Sequence, residues 1–153
     1  ADIAMVNSGM SKNLRKTDIL TDLWHSLGGL ESGVSVDYLL HGLNGEREFC
    51  VHGNLDPRLR QVKVAEVGAK LVNRLGEGRQ VPADEPGAAA TVMLKLSSLG
   101  EILLTEQSPQ TRHGAIARAG HRIHYRLAVV PALGPDDAGL AWLGIVDWSR
   151  RLG

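Results

Sequence analysis

A chain of 153 residues with one cysteine, Cys50, cannot cross-link to itself, so packing alone has to hold its fold. That is the usual condition of proteins in a reducing compartment, and it points to a cytoplasmic setting. Aromatic residues are scarce, at 4% of the chain, which leaves few rings to interleave with basic side chains as a base-stacking surface. Excess charge is missing too: 17 Lys and Arg balance 17 Asp and Glu, so no overall field draws the protein to nucleic acid or to an anionic membrane. The longest apolar runs, such as residues 127–133, fall far short of the roughly 20 residues that span a bilayer, and the chain does not open on a basic-then-apolar leader. There is no internal repeat, no Gly-x-Ser-x-Gly elbow and no phosphate-binding loop. Gly76-Glu77-Gly78 has neither the required lysine nor a strand-to-helix context.

What is present fits one domain. The hydrophobic fraction of 43% is enough to close a single core at this length. Residues 1–9 have no amphipathic period and read as an appended or disordered leader, and Met10-Ser11-Lys12 reads like a natural start, so the domain is placed at 10–153.

Apolar residues at Ile19, Leu20, Leu23, Trp24 and Leu27 have helical spacing, with Gly28-Gly29 as the stop. Residues 34–43 and 48–55 are rich in apolar and β-branched residues and flank Asn44-Gly45, a strong hairpin signal, so they are predicted as paired strands. Asp56-Pro57 looks like a helix start, continued by Leu59, Val62, Val67, Leu71 and Leu75, with a Gly- and Pro-rich loop at 76–87. Ala89, Val92, Met93, Leu96, Leu99 and Leu103 form the stripe of another helix. Three strands follow at 112–118, 122–133 and 140–148, with turns at 119–120 and 134–139. The expected fold is α+β: a five-stranded antiparallel sheet with helices over one face and an N-terminal helix.

This order of two leading strands, a helical middle and three trailing strands resembles a PAS domain. Gly144-Ile145-Val146-Asp147-Trp148-Ser149-Arg150-Arg151 is similar to the end of the last PAS strand, where an Asp-x-Ser/Thr step leads into the output region, although Trp148 replaces the usual aliphatic residue. Tyr125-Arg126-Leu127 with Val130-Pro131-Ala132-Leu133, and Leu23-Trp24-His25-Ser26-Leu27, resemble the penultimate strand and leading helix of a divergent bacterial PAS family. The resemblance implies a sensor domain in signal transduction. It does not extend to the flavin photosensors, because Cys50 sits in Phe49-Cys50-Val51-His52 rather than in a polar helical setting. Nor does it extend to the haem sensors, since residues 59–107 contain no histidine to serve as axial ligand. No cofactor is predicted; an unidentified small ligand is the one bound molecule the resemblance allows.

The remaining chemistry is sparse. His121 and His124 lie an odd number of residues apart on a predicted strand and point to opposite faces. Cys50 and His52 share a face but lack a second ligand pair, so no metal is predicted. Arg112, Arg118, Arg122, Arg126, Arg150 and Arg151 gather toward the C-terminal part, which reads as solvated sheet edge or a surface for an acidic partner. A pocket between sheet and helices would be lined by Val67, Leu71, Met93, Leu96, Tyr125, Leu127 and Trp142. The last strands are apolar on both faces, and one helical layer covers one face. Leu20, Trp24, Leu143, Ile145 and Trp148 are therefore candidate interface residues, unless the first helix covers the outer face within the chain.

The expected function is non-enzymatic: a sensory or regulatory module that binds a small ligand or a protein partner, and a homodimer or hetero-complex. A structural adaptor or localisation factor that docks through its sheet is the alternative. A small enzyme using His113 or His52 is the second alternative, which an unchanged activity on replacing His113 by alanine would count against.

Overall fold

The computed structural model describes residues 15–69, 71, 88–118, 121–134 and 139–152. Helix α1 (Lys16–Ser26) and helix α2 (Val36–Leu43) precede strand β1 (Cys50–Asp56). The short strands β2 (Gln61–Val62) and β3 (Glu66–Val67) come next, then helix α3 (Ala88–Ile102). The long strands β4 (Gln110–Arg118), β5 (His121–Leu133) and β6 (Leu140–Leu152) complete the described chain. The sheet is antiparallel in the order β2-β1-β6-β5-β4, with β3 also on β1, so the last strand lies in the middle. Its central seam runs in unbroken register from His121↔Leu152 to Leu133↔Leu140, and Cys50↔Ile145 to Asn54↔Ala141 joins β1 to β6.

The fold is α+β as the sequence indicates, but its layers differ. Side chains alternate across a strand, and both sets are apolar here. Tyr125, Leu127, Val129, Trp142 and Val146 pack with Val92, Leu96, Leu99 and Leu103 of and just beyond α3. Ala128, Val130, Ala132, Leu143 and Ile145 on the opposite face pack with Leu20 and Trp24 of α1 and with Val36, Leu39, Leu40 and Leu43 of α2. The sheet is therefore covered on both faces, not one. Two indole N–H groups secure the layers: Trp24 Nε1 donates to the Pro131 carbonyl at 2.7 Å, and Trp142 Nε1 donates to the Lys63 carbonyl at 3.0 Å.

Two local predictions are corrected. Residues 36–43 are helix, not strand: Ser35 Oγ caps it by accepting from the Tyr38 N–H at 3.1 Å, and Val36, Leu39, Leu40 and Leu43 recur at helical period on its buried face. Asn44, taken for the corner of a hairpin, instead ends that helix at φ 48° and leads into the 3-10 turn Asn44–Phe49. Asp56-Pro57 starts a hairpin turn rather than a helix. The Asp56 carboxylate accepts from the Arg58 and Leu59 N–H groups, Arg60 takes φ 52°, and the chain returns along β1 as β2 and β3. At the crossing, a Cβ on Gly53 would stand 1.7 Å from the Lys63 carbonyl oxygen, so only glycine lets the returning chain approach. The leader at 1–9, the later part of the helix predicted to reach Leu75, the loop at 76–87, the turn at 119–120 and residues 135–138 of the last turn lie outside the described residues.

Candidate functional site

Strand β6 reaches α1 through one carboxylate. Arg15, in the N-cap position of α1, supplies no capping side chain. Asp147, from the other end of the sequence, does so instead: Oδ1 accepts from the Lys16 N–H, and Oδ2 accepts from the Thr17 N–H and the Thr17 hydroxyl, each at 2.9 Å. A negative charge at a helix N-terminus meets unpaired donors and the positive end of the helix dipole. The Lys16 ammonium adds an ion pair to Asp147 at 3.6 Å and lies 4.5 Å from the centre of the Phe49 ring. Beside it, Arg126 pairs with Asp18 of α1 at 3.5 Å, and Arg126 is itself the cross-strand neighbour of Asp147. The Asp-x-Ser step at Asp147 thus acts as a clasp between the last strand and the first helix.

All seven residues expected to line a pocket meet in one place, between the sheet and α3. Leu71, Leu96, Tyr125, Leu127 and Trp142 are buried there, with Val67 and Met93 packed against them. Packing around Gly144 is close: a Cβ there would stand 3.1 Å from Leu96 Cδ2, 3.1 Å from Trp142 Cζ3 and 3.2 Å from Val129 Cγ1. Among the expected interface residues, Leu20, Trp24, Leu143 and Ile145 are buried on the opposite face, because α1 and α2 cover it. They are core of this chain rather than exposed anchors. Trp148 pairs with Tyr125 in the strand register, and its side chain is outside the described set.

Among the described side chains the histidines do not converge. His52 Nε2 stands 3.8 Å from Glu66 Oε2 across the β1–β3 pair, while His113 is exposed on β4 opposite Arg126. Among the described residues, no group of three or more His, Cys, Asp or Glu side chains could hold a metal ion. Cys50 is buried, with its thiol 3.6 Å from the Glu46 carbonyl oxygen. Desolvation, reinforced by the Glu46 charge and opposed by Arg47, pushes its pKa up to about 12, so at neutral pH it is a thiol rather than a nucleophilic thiolate.

The basic residues concentrate on the last three strands but divide between the two faces of the sheet, Arg112 sharing a face with Leu127 and Arg122 with Arg126. The β4–β5 segment at 110–133 holds Arg112, Arg118, Arg122, Arg126, His113, His121 and His124, with no Asp or Glu. Strand β6 adds Arg150 and Arg151 and one acid, Asp147, which is engaged by α1. Arg122 and Arg151 stand directly opposite each other in the register. No helix of the described residues is long and apolar enough to cross a membrane. No family model, no curated protein and no solved structure matches the chain.

Proposed function

We propose that this chain is a non-enzymatic regulatory module of PAS-like architecture, working in the cytoplasm by engaging a protein partner. The observation that carries the reading is the closure of the sheet on both faces by the chain's own helices, with tight contacts at Gly144 between sheet and α3. A core filled in this way leaves the partner to bind at edges and ends rather than a small molecule to bind inside. The PAS-like part of the proposal draws support from the element order, with β1 and its short partners leading and the β4-β5-β6 meander trailing. The Asp147 clasp is a second support, since it couples the strand end that resembles a PAS output step to the first helix.

A ligand sensor is the second reading, favoured by the convergence of Val67, Leu71, Met93, Leu96, Tyr125, Leu127 and Trp142 on one cluster. Native mass spectrometry beside the denatured mass separates the two. The partner-engaging reading expects native masses that are whole multiples of the chain mass. A stoichiometric added mass that disappears on denaturation would overturn it in favour of the sensor.

A further inference from the structure

We propose that the outer edge of β4 docks an acidic, extended segment of a partner protein, which joins the sheet as an additional strand. The inference rests on the partner-engaging reading above and names where and with what chemistry the partner binds.

The two edges of this sheet differ in kind. On the β1 side, the outermost pairing is broken into two-residue strands, Gln61–Val62 and Glu66–Val67, with residues 63–65 exposed between them. Short, interrupted edges of that kind are a common protection against unwanted strand addition. On the other side, β4 pairs with β5 at nine consecutive positions, Gln110↔Val129 through Arg118↔His121, with no bulge and no proline. Among the described residues no strand pairs with its outer side. A long regular edge of this type is a template of backbone donors and acceptors, and the occupant it selects is an extended polypeptide.

Charge decides which polypeptide. Arg112 is exposed on the face it shares with Leu127, while His113 on β4 and Arg122 on β5 are exposed on the other, so an incoming strand meets a guanidinium on each face of the edge. Strands β4 and β5 carry no acid of their own, and Asp147 of β6 is taken by the α1 N-terminus and Asp18 by Arg126. Because the whole chain has a formal net charge of zero, this is a local positive field and not a consequence of composition.

A second copy of the chain fits poorly. Antiparallel pairing of β4 with itself about a twofold normal to the sheet sets Arg112 opposite Arg118 when centred on Ala115. When centred on Gly114 it sets Arg112 diagonal to Arg118, and when centred on His113 it sets Arg112 diagonal to its own copy. Like charges opposite or about 7–8 Å apart on the diagonal repel in each case. Nucleic acid fits poorly as well. Tyr125, the aromatic residue beneath this surface, is 8% exposed, and the exposed large apolar residues Tyr38, Leu59, Val64 and Leu94 all lie on other elements. No stacking platform is on offer among the described side chains.

The test uses the full chain and a fluorescein-labelled peptide of repeated Glu-Glu-Val, which turns glutamate to both faces of the sheet, matched in length to β4. Fluorescence anisotropy is expected to show saturable, salt-sensitive binding, with amide shifts confined to residues 110–118 and their β5 partners. A fully N-methylated version, with its charge kept and its backbone donors removed, and a version with lysine for glutamate are both expected to bind at least about tenfold more weakly. Arg112→Glu is expected to weaken binding at least about tenfold and Arg122→Glu several-fold, while Lys95→Glu, exposed on α3, leaves it within about twofold. Unchanged thermal unfolding of each variant separates lost docking from lost folding. Equal binding of the N-methylated peptide, shifts that map away from β4, no binding at all, or tighter binding of an oligothymidylate or of phosphatidylserine vesicles would each overturn the proposal. Chain association that maps to β4 in sedimentation would also overturn it, in favour of a second copy. A retained small molecule in the native mass refutes the partner-engaging reading by a separate readout.

Discussion

Replacing Asp147 by alanine removes the cap of a helix that has no other. Three donors then lose their acceptor: the Lys16 and Thr17 backbone N–H groups and the Thr17 hydroxyl, each now bonded at 2.9 Å. Loss of an N-cap costs about 0.5–2 kcal/mol, and the interaction with the helix dipole is worth about 0.3–1 kcal/mol more. Thr17 is 1% exposed, so water cannot replace the lost acceptor, and an unsatisfied buried donor costs about 1–3 kcal/mol. These contributions overlap, and the Lys16 ion pair at 3.6 Å, whose side chains are 28% and 16% exposed, adds about 1 kcal/mol at most. The expected total is about 3 kcal/mol, which for a chain of this size lowers Tm by about 6–12 °C. Urea unfolding followed by circular dichroism gives the free energy directly. Asp147→Asn, which keeps one acceptor and loses the charge, is expected to cost about half as much. A double-mutant cycle with Thr17→Val is expected to give a coupling of about 1 kcal/mol or more. A loss below about 0.5 kcal/mol for Asp147→Ala, or strict additivity with Thr17→Val, would refute the idea that β6 caps α1.

Other consequences can be checked in the same way. Trp24→Phe keeps the ring in the α1–α2 layer but removes the donor to the Pro131 carbonyl, and is expected to cost about 1–3 kcal/mol in chemical unfolding. Gly144→Ala puts a methyl against Leu96, Trp142 and Val129 at 3.1–3.2 Å and is expected to cost about 1–3 kcal/mol; a neutral or stabilised variant would mean that space is open there and would favour the ligand reading. Cys50 holds its proton up to about 12 in the folded chain against an ordinary value of 9.0, so its contribution to stability is complete below about pH 9 and is lost as the pH rises through about 12. The unfolding free energy of the parent relative to Cys50→Ala is accordingly expected to fall by about 1.2 kcal/mol between about pH 9.5 and about pH 10.5. A flat difference over that range would mean that the thiol is not desolvated.

Much of the sheet is legible because β5 and β6 are apolar at consecutive positions. Leu127 to Val130 and Ala141 to Val146 leave no polar face, and a strand of that kind needs cover on both sides. Helix α3 is legible for the converse reason, since Val92, Leu96, Leu99 and Leu103 keep a single stripe. Residues 36–43 carry two signals: the helical spacing of their buried residues, and the composition and Asn44-Gly45 step of a hairpin. Ser35 decides between them by capping a helix, and Asn44 tolerates positive φ equally well at a helix end. Asp56-Pro57 is ambiguous in the same way, because the side-chain-to-backbone bonds that start a helix also close a turn. Leu59, counted toward the apolar stripe of a helix, is 64% exposed at the hairpin tip. The Asp147 clasp joins residues 130 and 131 positions apart, and no local pattern reports a contact at that range. The edge position of β4 likewise follows from the sheet order, which puts β6 and not β4 beside β1.

That strand order also governs how the chain assembles. The strand that fills the centre of the sheet is the last of the six to leave the ribosome, and until it arrives β1 has only its own short return segments for neighbours. Before then Leu39, Leu43 and Val51 have no Leu143, Ile145 or Trp142 to close over them. Contacts this distant in sequence are slow to form, and the apolar surface waits exposed meanwhile. The sheet thus cannot close until β6 has been made, and a stop codon ahead of Leu140 would leave two half-layers with nothing to join them.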